Sequence, residues 1–364
     1  MSKSLIINKY ISKEFLKIFL YMLLGFSCLS IIMNLFEEIN FFGDFGVGIL
    51  VPFFMSILIM PNIIYTLLPF IVLFTSIWLF LKLIRTEEIV AMKASGMSNI
   101  SLILIPSVVA FVLGIFIVLA VNPIISTLVE KYETIKANYH TDQEYLAAIT
   151  ANGIWMKQNK SGIISIIRSS NLKNENLENV SIYQFKEDNT LINRMEAESA
   201  YIKNTTWILK NVKEYKKVDD ENTLTNFEEV KFDSIYNLEK IRTLYTNLDT
   251  ISFWKIPDQI ELLKERGYST KEMQGKFQKT ISFPFFLVSM VLLAGVFTLG
   301  TKYKGSNWNY VLISIIACIV IYYTDYFSLA LGKTERLPIE VSVWMPVIIV
   351  FIFSTVGLIH VNQK

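Results

Sequence analysis

Residues 49–81 hold 33 consecutive positions without a charged side chain. As one straight helix this run would measure about 50 Å, whereas the hydrocarbon core of a bilayer is about 30 Å thick. It is also too short for two full spans and a turn. Pro52, Pro61 and Pro69 each lack a backbone N–H and offer places to break it. The expectation is therefore an interfacial helix over about residues 49–60 that leads into a membrane span at 62–84. Five more runs reach the roughly 20 apolar residues that a span requires. They lie at 15–36, 101–121, 281–300, 309–330 and 342–361, so that three spans precede a polar middle and three follow it.

The charge distribution supports the same division. Residues 124–279 carry 22 Lys/Arg and 23 Asp/Glu, 45 of the chain's 66 charged side chains. The overall 52% hydrophobic and 18% charged are thus an average over an oily frame and a water-soluble insert. A net charge of +2 with no concentrated basic face argues against a nucleic-acid binder. Cys28 and Cys318 fall inside apolar runs, and His140 and His360 stand far apart, so neither a disulfide framework nor a metal or cofactor site is expected. Lys3, Lys9, Lys13 and Lys17 ahead of an apolar run imitate a signal peptide. The run from 18 to 36 is too long for one, however, and no small-residue cleavage site follows, which predicts a retained first span.

Orientation follows from Lys and Arg in the short gaps. One set of gaps holds Lys3, Lys9, Lys13, Lys17, Lys82, Arg85, Lys93, Lys302, Lys304 and Lys364, whereas the opposite set holds Lys333 and Arg336. This asymmetry predicts cytoplasmic termini and an extracytoplasmic insert. Within the insert the period changes to short segments rich in Ile, Val, Tyr, Phe and Trp at 153–157, 163–168, 180–185, 191–203, 207–217 and 227–232. Polar clusters separate them, an antiparallel strand pattern that predicts a β-sandwich or jelly-roll of about 100 residues. Residues 122–145 read as a helix continuing the third span. Pro257 suits a helix start and Gly267 a helix stop, and Ser269-x-x-Glu272 reads as a capping box before span four. The predicted fold is a polytopic α-helical membrane protein, six helices in a three-plus-three layout, with an inserted extracytoplasmic β-jelly-roll-like domain. Its parts are residues 1–123 with a surface helix at 86–96, residues 124–256, and residues 257–364.

Catalytic signals are missing. Gly332-Lys333-Thr334 hints at a phosphate loop, but the glycine required five residues before the Gly-Lys pair is Phe327. Two remote histidines and two cysteines in apolar runs allow no nucleophilic triad. Asp325 is the one carboxylate within a span, beside Tyr322, Tyr323 and Tyr326. It reads either as a hydrogen-bonded interfacial carboxylate or as a group in a substrate path or helix pair. Between spans two and three stands Arg85-Thr86-Glu87-Glu88-Ile89-Val90-Ala91-Met92-Lys93-Ala94-Ser95-Gly96. Thr86 can cap a short helix, Glu87 and Glu88 suit its positive end, and Gly96 can stop it. Val90, Ala94 and Met97 would share one face. Two readings stand: a connector with a solvated face, or a surface helix offered to the groove of a motor subunit.

That stretch, with the three-plus-three spans and the β-rich insert, resembles the lipopolysaccharide export permeases of the LptF/LptG family. Gly153-Ile154-Trp155-Met156-Lys157 and Val180-Ser181-Ile182-Tyr183-Gln184-Phe185 are more similar to LptG than to LptF. The resemblance implies a non-enzymatic permease subunit of an ABC transporter in the bacterial inner membrane, with lipopolysaccharide as cargo. It further implies a sister permease (LptF-like), a cytoplasmic ATPase dimer (LptB-like) and a single-span β-jelly-roll partner (LptC-like). By it, Glu88 is the coupling glutamate that faces the ATPase, with Arg85, Glu87, Met92, Ala94, Ser95 and Gly96 in the same surface. Spans one and five wall the lipid path, which would be lined by Phe26, Asn34, Leu35, Glu38, Tyr322 and Asp325. The chain departs from members that place lysines near the outer end of span one, where it has Asn34, Glu38, Phe41 and Phe42. Basic positions after span three correspond here to Glu130 and Glu133, which leaves a phosphate clamp to the sister permease or to Lys131, or else implies a less anionic glycolipid. The alternatives from the residues are a mechanotransmitting ABC subunit, which usually has four spans, and a non-transporting membrane scaffold.

Overall fold

The structure, a computed structural model, describes residues 2–139, 145–150, 153–160, 162–173, 175–186, 190–218, 221–236, 247–265, 270–299, 308–334 and 336–362. The chain divides into two compact units. The first comprises Met1–Glu133, Ile251–Pro257 and Lys271–Lys364, and the second Thr134–Thr250 and Asp258–Thr270.

Among the described residues, six helices are long and apolar enough to cross a membrane: Ile6–Phe42, Leu50–Arg85, Asn99–Lys136, Lys271–Leu299, Leu312–Gly332 and Ile339–His360. They lie within α1 (Ser2–Phe42), α2 (Leu50–Arg85), α4 (Asn99–Phe116) continued through a π-helical turn (Ile117–Val121) into α5 (Asn122–Asn138), α7 (Lys271–Leu299), α8 (Trp308–Lys333) and α9 (Ile339–Asn362). Between α2 and α4 lies the short α3 (Glu88–Ala94), and α6 (Ile256–Glu265) precedes α7. The three-plus-three layout is as expected.

The proposed break near residue 60 is not found. Helix α2 runs unbroken from Leu50 to Arg85 through Pro61 and Pro69. Each proline costs the helix one backbone hydrogen bond, whereas a break would free several N–H and C=O groups, each costly in hydrocarbon. Continuity therefore wins.

Helices α2, α4 and α7 supply most of the first unit's core, with Ile71, Val72, Leu73, Leu102, Ile103, Leu287 and Met290 all nearly inaccessible. Helix α1 packs on α2, α9 on α7, and α8 chiefly on α9. Backbones approach closely where α4 meets α7: a Cβ added at Gly114 would lie 2.7 Å from the Pro284 Cα. Small residues permit such contact, and in lipid close packing rather than the hydrophobic effect holds helices together. The π-helical turn is clasped by the segment before α6. Trp254 Nε1 donates to the Leu119 carbonyl at 3.0 Å, and the Phe253 N–H donates to Asn122 Oδ1 at 2.8 Å.

The second unit is built on an eight-stranded antiparallel sheet: β1 (Tyr145–Thr150), β2 (Gly153–Lys160), β3 (Ile163–Ser169), β4 (Asn171–Lys173), β5 (Asn176–Lys186), β6 (Leu191–Tyr201), β7 (Thr206–Val218) and β8 (Glu221–Asp233). Its order is β1-β2-β3-β5-β6-β7-β8, with β4 paired to β5, so strands follow one another without a crossover. The inserted antiparallel β-domain is as expected, while β1 and β4 lacked a counterpart in the sequence reading. The helix foreseen over 122–145 ends at Asn138, and Tyr145 already begins β1. Pro257 is the second residue of α6. Gly267 and Ser269, and with it the capping box, lie outside the described residues, as do Lys302 and Lys304.

Alternation of buried positions changes parity along one row of the sheet. On β5, Val180 and Ile182 point inward on one side of Asn179 and Leu177 on the other. The same switch separates Ala197 from Ala200 on β6, and Val212 from Leu209 on β7. Asn179 and Asn211, at φ 48 and φ 51, are the residues that absorb it. Asparagine tolerates this left-handed conformation far better than a β-branched residue. The buried layer closes over Trp207, whose Nε1 donates to the Tyr236 carbonyl at 2.7 Å.

Candidate functional site

Thr86 ends α2 instead of capping α3. Both its N–H and its Oγ1–H donate to the Lys82 carbonyl, each at 3.0 Å. Glu87 then takes φ 58, the left-handed region, and turns the chain into α3. Its carbonyl receives the N–H groups of Val90 and Ala91. At the other end Gly96, at φ 95, makes the stop the sequence predicted. The Gly96 N–H reaches the Lys93 carbonyl at 2.9 Å and the Met97 N–H reaches the Met92 carbonyl at 3.2 Å, the paired bonds of a Schellman motif. Ser95 Oγ adds a bond to the Met92 carbonyl at 2.6 Å.

A seven-residue helix cannot hold itself together in water. Here Ile89 and Met92 anchor it by joining the core of the first unit. Met92, which the family resemblance groups with the coupling residues, lies on the inner side of α3: i and i+3 share one helix face, and that face is buried. Arg85, Glu87, Ala94, Ser95 and Gly96 are exposed, as are Val90, Ala91 and Lys93. Val90 is 66% exposed. Glu88 sits between the two faces. The Tyr10 hydroxyl of α1 lies against its carboxylate. Its Oε2 is buried and has no hydrogen-bond partner among the described residues. One turn along α1, Glu14 forms an ion pair with Lys82 of α2. Polar links from α1 therefore reach both sides of the α2–α3 junction.

The residues expected to line a lipid path divide. Phe26 is half-buried, its ring 6.0 Å from that of Phe74 on α2. Asn34 and Leu35 are also half-buried, and the Asn34 amide approaches Glu37 at 3.5 Å. Glu38 is only 1% exposed and accepts a hydrogen bond of 2.6 Å from the Tyr132 hydroxyl of α5. It makes a helix-to-helix contact, and burying a carboxylate demands such bonds. Tyr322 is exposed beside Tyr323. Asp325 is paired: Lys279 Nζ of α7 lies 2.9 Å from its Oδ2.

Sequence reasoning missed the most open positions. Leu24, Met33 and Phe36 on α1, with Ile316, Ile319 and Tyr323 on α8, are all more than half exposed. In their most apolar stretches α1 and α8 are 22% and 17% buried, against 61% for α2 and 67% for α7. No periodicity could reveal this, because these helices are apolar on every side. The first unit thus has two long helices with bare faces, α1 and α8, and a short helix, α3, pinned on one side and exposed on the other. Among the described residues no cluster of His, Cys, Asp or Glu could hold a metal ion.

A family model described as Lipopolysaccharide export system permease LptF/LptG matches residues 9–360. No curated protein matches the chain.

Proposed function

Since this chain belongs to the LptF/LptG family of lipopolysaccharide export permeases, we propose that it is the subunit through which a separate cytoplasmic ATPase dimer drives lipopolysaccharide out of the bacterial inner membrane. In this reading both termini are cytoplasmic and residues 124–256 form a periplasmic domain. A sister permease completes the transmembrane frame, and a single-span jelly-roll partner receives the lipid. The strings at 153–157 and 180–185 favour the LptG role over that of LptF.

The observation that carries the reading is the arrangement of α3. Ile89 and Met92 fix its inner face, so a push on its exposed ridge of Val90, Lys93 and Ala94 moves the helices beneath it. Glu88 serves as the charged contact of that ridge, offering its carboxylate to a cation of the ATPase when the side chain leaves Tyr10. Nucleotide binding then shifts α1 relative to α2 through the links at Tyr10 and Glu14–Lys82, narrowing the lipid path along α1 and α8. Acyl chains leave toward the apolar interior of the β-domain. The chain contributes no catalytic group of its own, and the hydrolysis belongs to the motor.

Co-purification tests it. Glu88→Ala and Val90→Asp are expected to lower the amount of ATPase retained by about tenfold, because an interface anchor is typically worth 1–2 kcal/mol. A Lys93→Ala change on the outer rim should have a smaller effect. Full retention of the ATPase and unchanged lipid release by both variants would sink the coupling role.

A further inference from the structure

Strands β2 and β8 stand at opposite flanks of the sheet, with β3, β5, β6 and β7 between them, so no ladder of backbone bonds joins the two. The residues just after β8 nevertheless reach across. The Ser234 hydroxyl and the Ile235 N–H both donate to Gln158 Oε1 of β2, each at 3.0 Å. Gln158 Nε2 returns a longer contact of 3.4 Å to the Asp233 carbonyl. The Tyr236 hydroxyl donates to the Lys157 carbonyl at 2.7 Å, and the Tyr236 N–H donates to Ser234 Oγ at 3.1 Å. Beneath this bridge the Tyr236 carbonyl receives Trp207 Nε1.

Gln158 is 1% exposed, Ser234 3% and Tyr236 2%. Gln158 shares its strand face with Ile154 and Met156, which are buried in the apolar core of the sheet. A glutamine in that row is costly unless its amide is bonded, and the strap is what bonds it. We propose that residues 234–236 are a strap latched by Gln158, and that its release opens the apolar inner face of the β-domain. This deepens the export reading and rests on it for the identity of the guest: acyl chains of the transported lipid enter when the strap lifts. Besides the latch, the Ser234 N–H donates to the Thr205 carbonyl at 2.7 Å, a hinge about which the three-residue strap can lift while the β5–β6–β7 ladders stay intact, since local openings need far less free energy than global unfolding.

The test uses the full chain with Cys28 and Cys318 replaced by alanine. A single cysteine is placed at Met156, two residues from the latch on the same face, or at Val212. Val212 pairs with Phe227, six residues and about 20 Å along β8 from Asp233. Labelling by a water-soluble maleimide is timed with and without Gln158→Ala, and again with Ser234→Ala. Loss of the latch bonds should speed labelling at position 156 by about tenfold and leave position 212 slow. In the assembled complex, a photocrosslinker at Phe232 reports lipopolysaccharide adducts, which should rise in the same variants. Faster labelling at 156 without any lipid adduct keeps the strap and removes the lipid route. Unchanged labelling at 156 in both variants overturns the strap, whatever the adducts show. Equal acceleration at 156 and 212 also overturns it, because that is loss of the fold.

Discussion

The Lys279 ammonium lies 2.9 Å from a carboxylate oxygen of Asp325, which ties the first third of α7 to the last third of α8. Asp325→Asn should loosen that tie. The Lys279 side chain is 54% exposed and that of Asp325 31%, so in water the pair would be worth about 1 kcal/mol or less. Lowered melting temperatures for Asp325→Asn and Lys279→Met, with recovery in the Lys279→Asp/Asp325→Lys exchange, are the expected results. An exchange as unstable as the single variants would show that the pair does not act as a pair.

In the proposed coupling role, Tyr10 and the ATPase would compete for one carboxylate. Tyr10→Phe removes the hydroxyl beside Glu88, and a lost hydrogen bond of about 1 kcal/mol corresponds to up to about fivefold in affinity. Titration of purified permease with the ATPase should therefore show tighter binding for Tyr10→Phe. Weaker binding would mean that Tyr10 orients Glu88 instead of restraining it.

Gly96 closes α3 at φ 95, a conformation that costs any residue with a Cβ about 1 kcal/mol or more. Gly96→Val should fray the last turn, seen as faster amide exchange at Gly96 and Met97, and Gly96→Asn should do so less. Equal exchange in all three proteins would refute the stop.

Gly114 leaves no room beside Pro284, where an added Cβ would meet backbone at 2.7 Å. Gly114→Leu should force α4 from α7 and destabilise the protein by about 1–3 kcal/mol, the usual cost of overpacking. The readout is thermal unfolding in detergent. By contrast, Gly25, beside which nothing lies within 4 Å, should accept alanine without loss.

In the β-domain, Asn211→Gly should be tolerated and Asn211→Val should destabilise by about 1 kcal/mol or more, because φ 51 excludes β-branched residues. Denaturant midpoints would report the order. A valine variant as stable as the glycine one would mean that the row of kinks at Asn179 and Asn211 is not needed for the inward packing of Val212 and Leu209.

Sequence revealed those features that one-dimensional patterns encode. Six apolar runs, the charged insert, its strand-like segments and the stop at Gly96 all follow from composition, period and turn chemistry. What escaped is three-dimensional. The break expected at Pro61 ignored how strongly an apolar surrounding enforces backbone pairing. Glu38 gave no sign that it would be buried against Tyr132, 94 residues away. Which side of α3 Met92 occupies was not legible either, because in a seven-residue helix an offset of one or two residues moves a side chain from the buried face to the exposed one. The strand Tyr145–Thr150, with its two alanines, continued a helical pattern as plausibly as it began a sheet. Ser234-Ile235-Tyr236 carries no motif at all, and its role is visible only through Gln158.

The π-helical turn at Ile117–Val121 has a further effect on the rod that contains it. A π turn holds one residue more than the α-helical register, and one residue is about 100° of rotation. Gly114 before the turn and Tyr132 after it therefore look in directions that an uninterrupted helix could not give them. One continuous span satisfies two neighbours, Pro284 on one side and Glu38 on the other, by spending a single supernumerary residue. Removing that residue would re-aim everything downstream without breaking the helix, a change of bearing with no change of path.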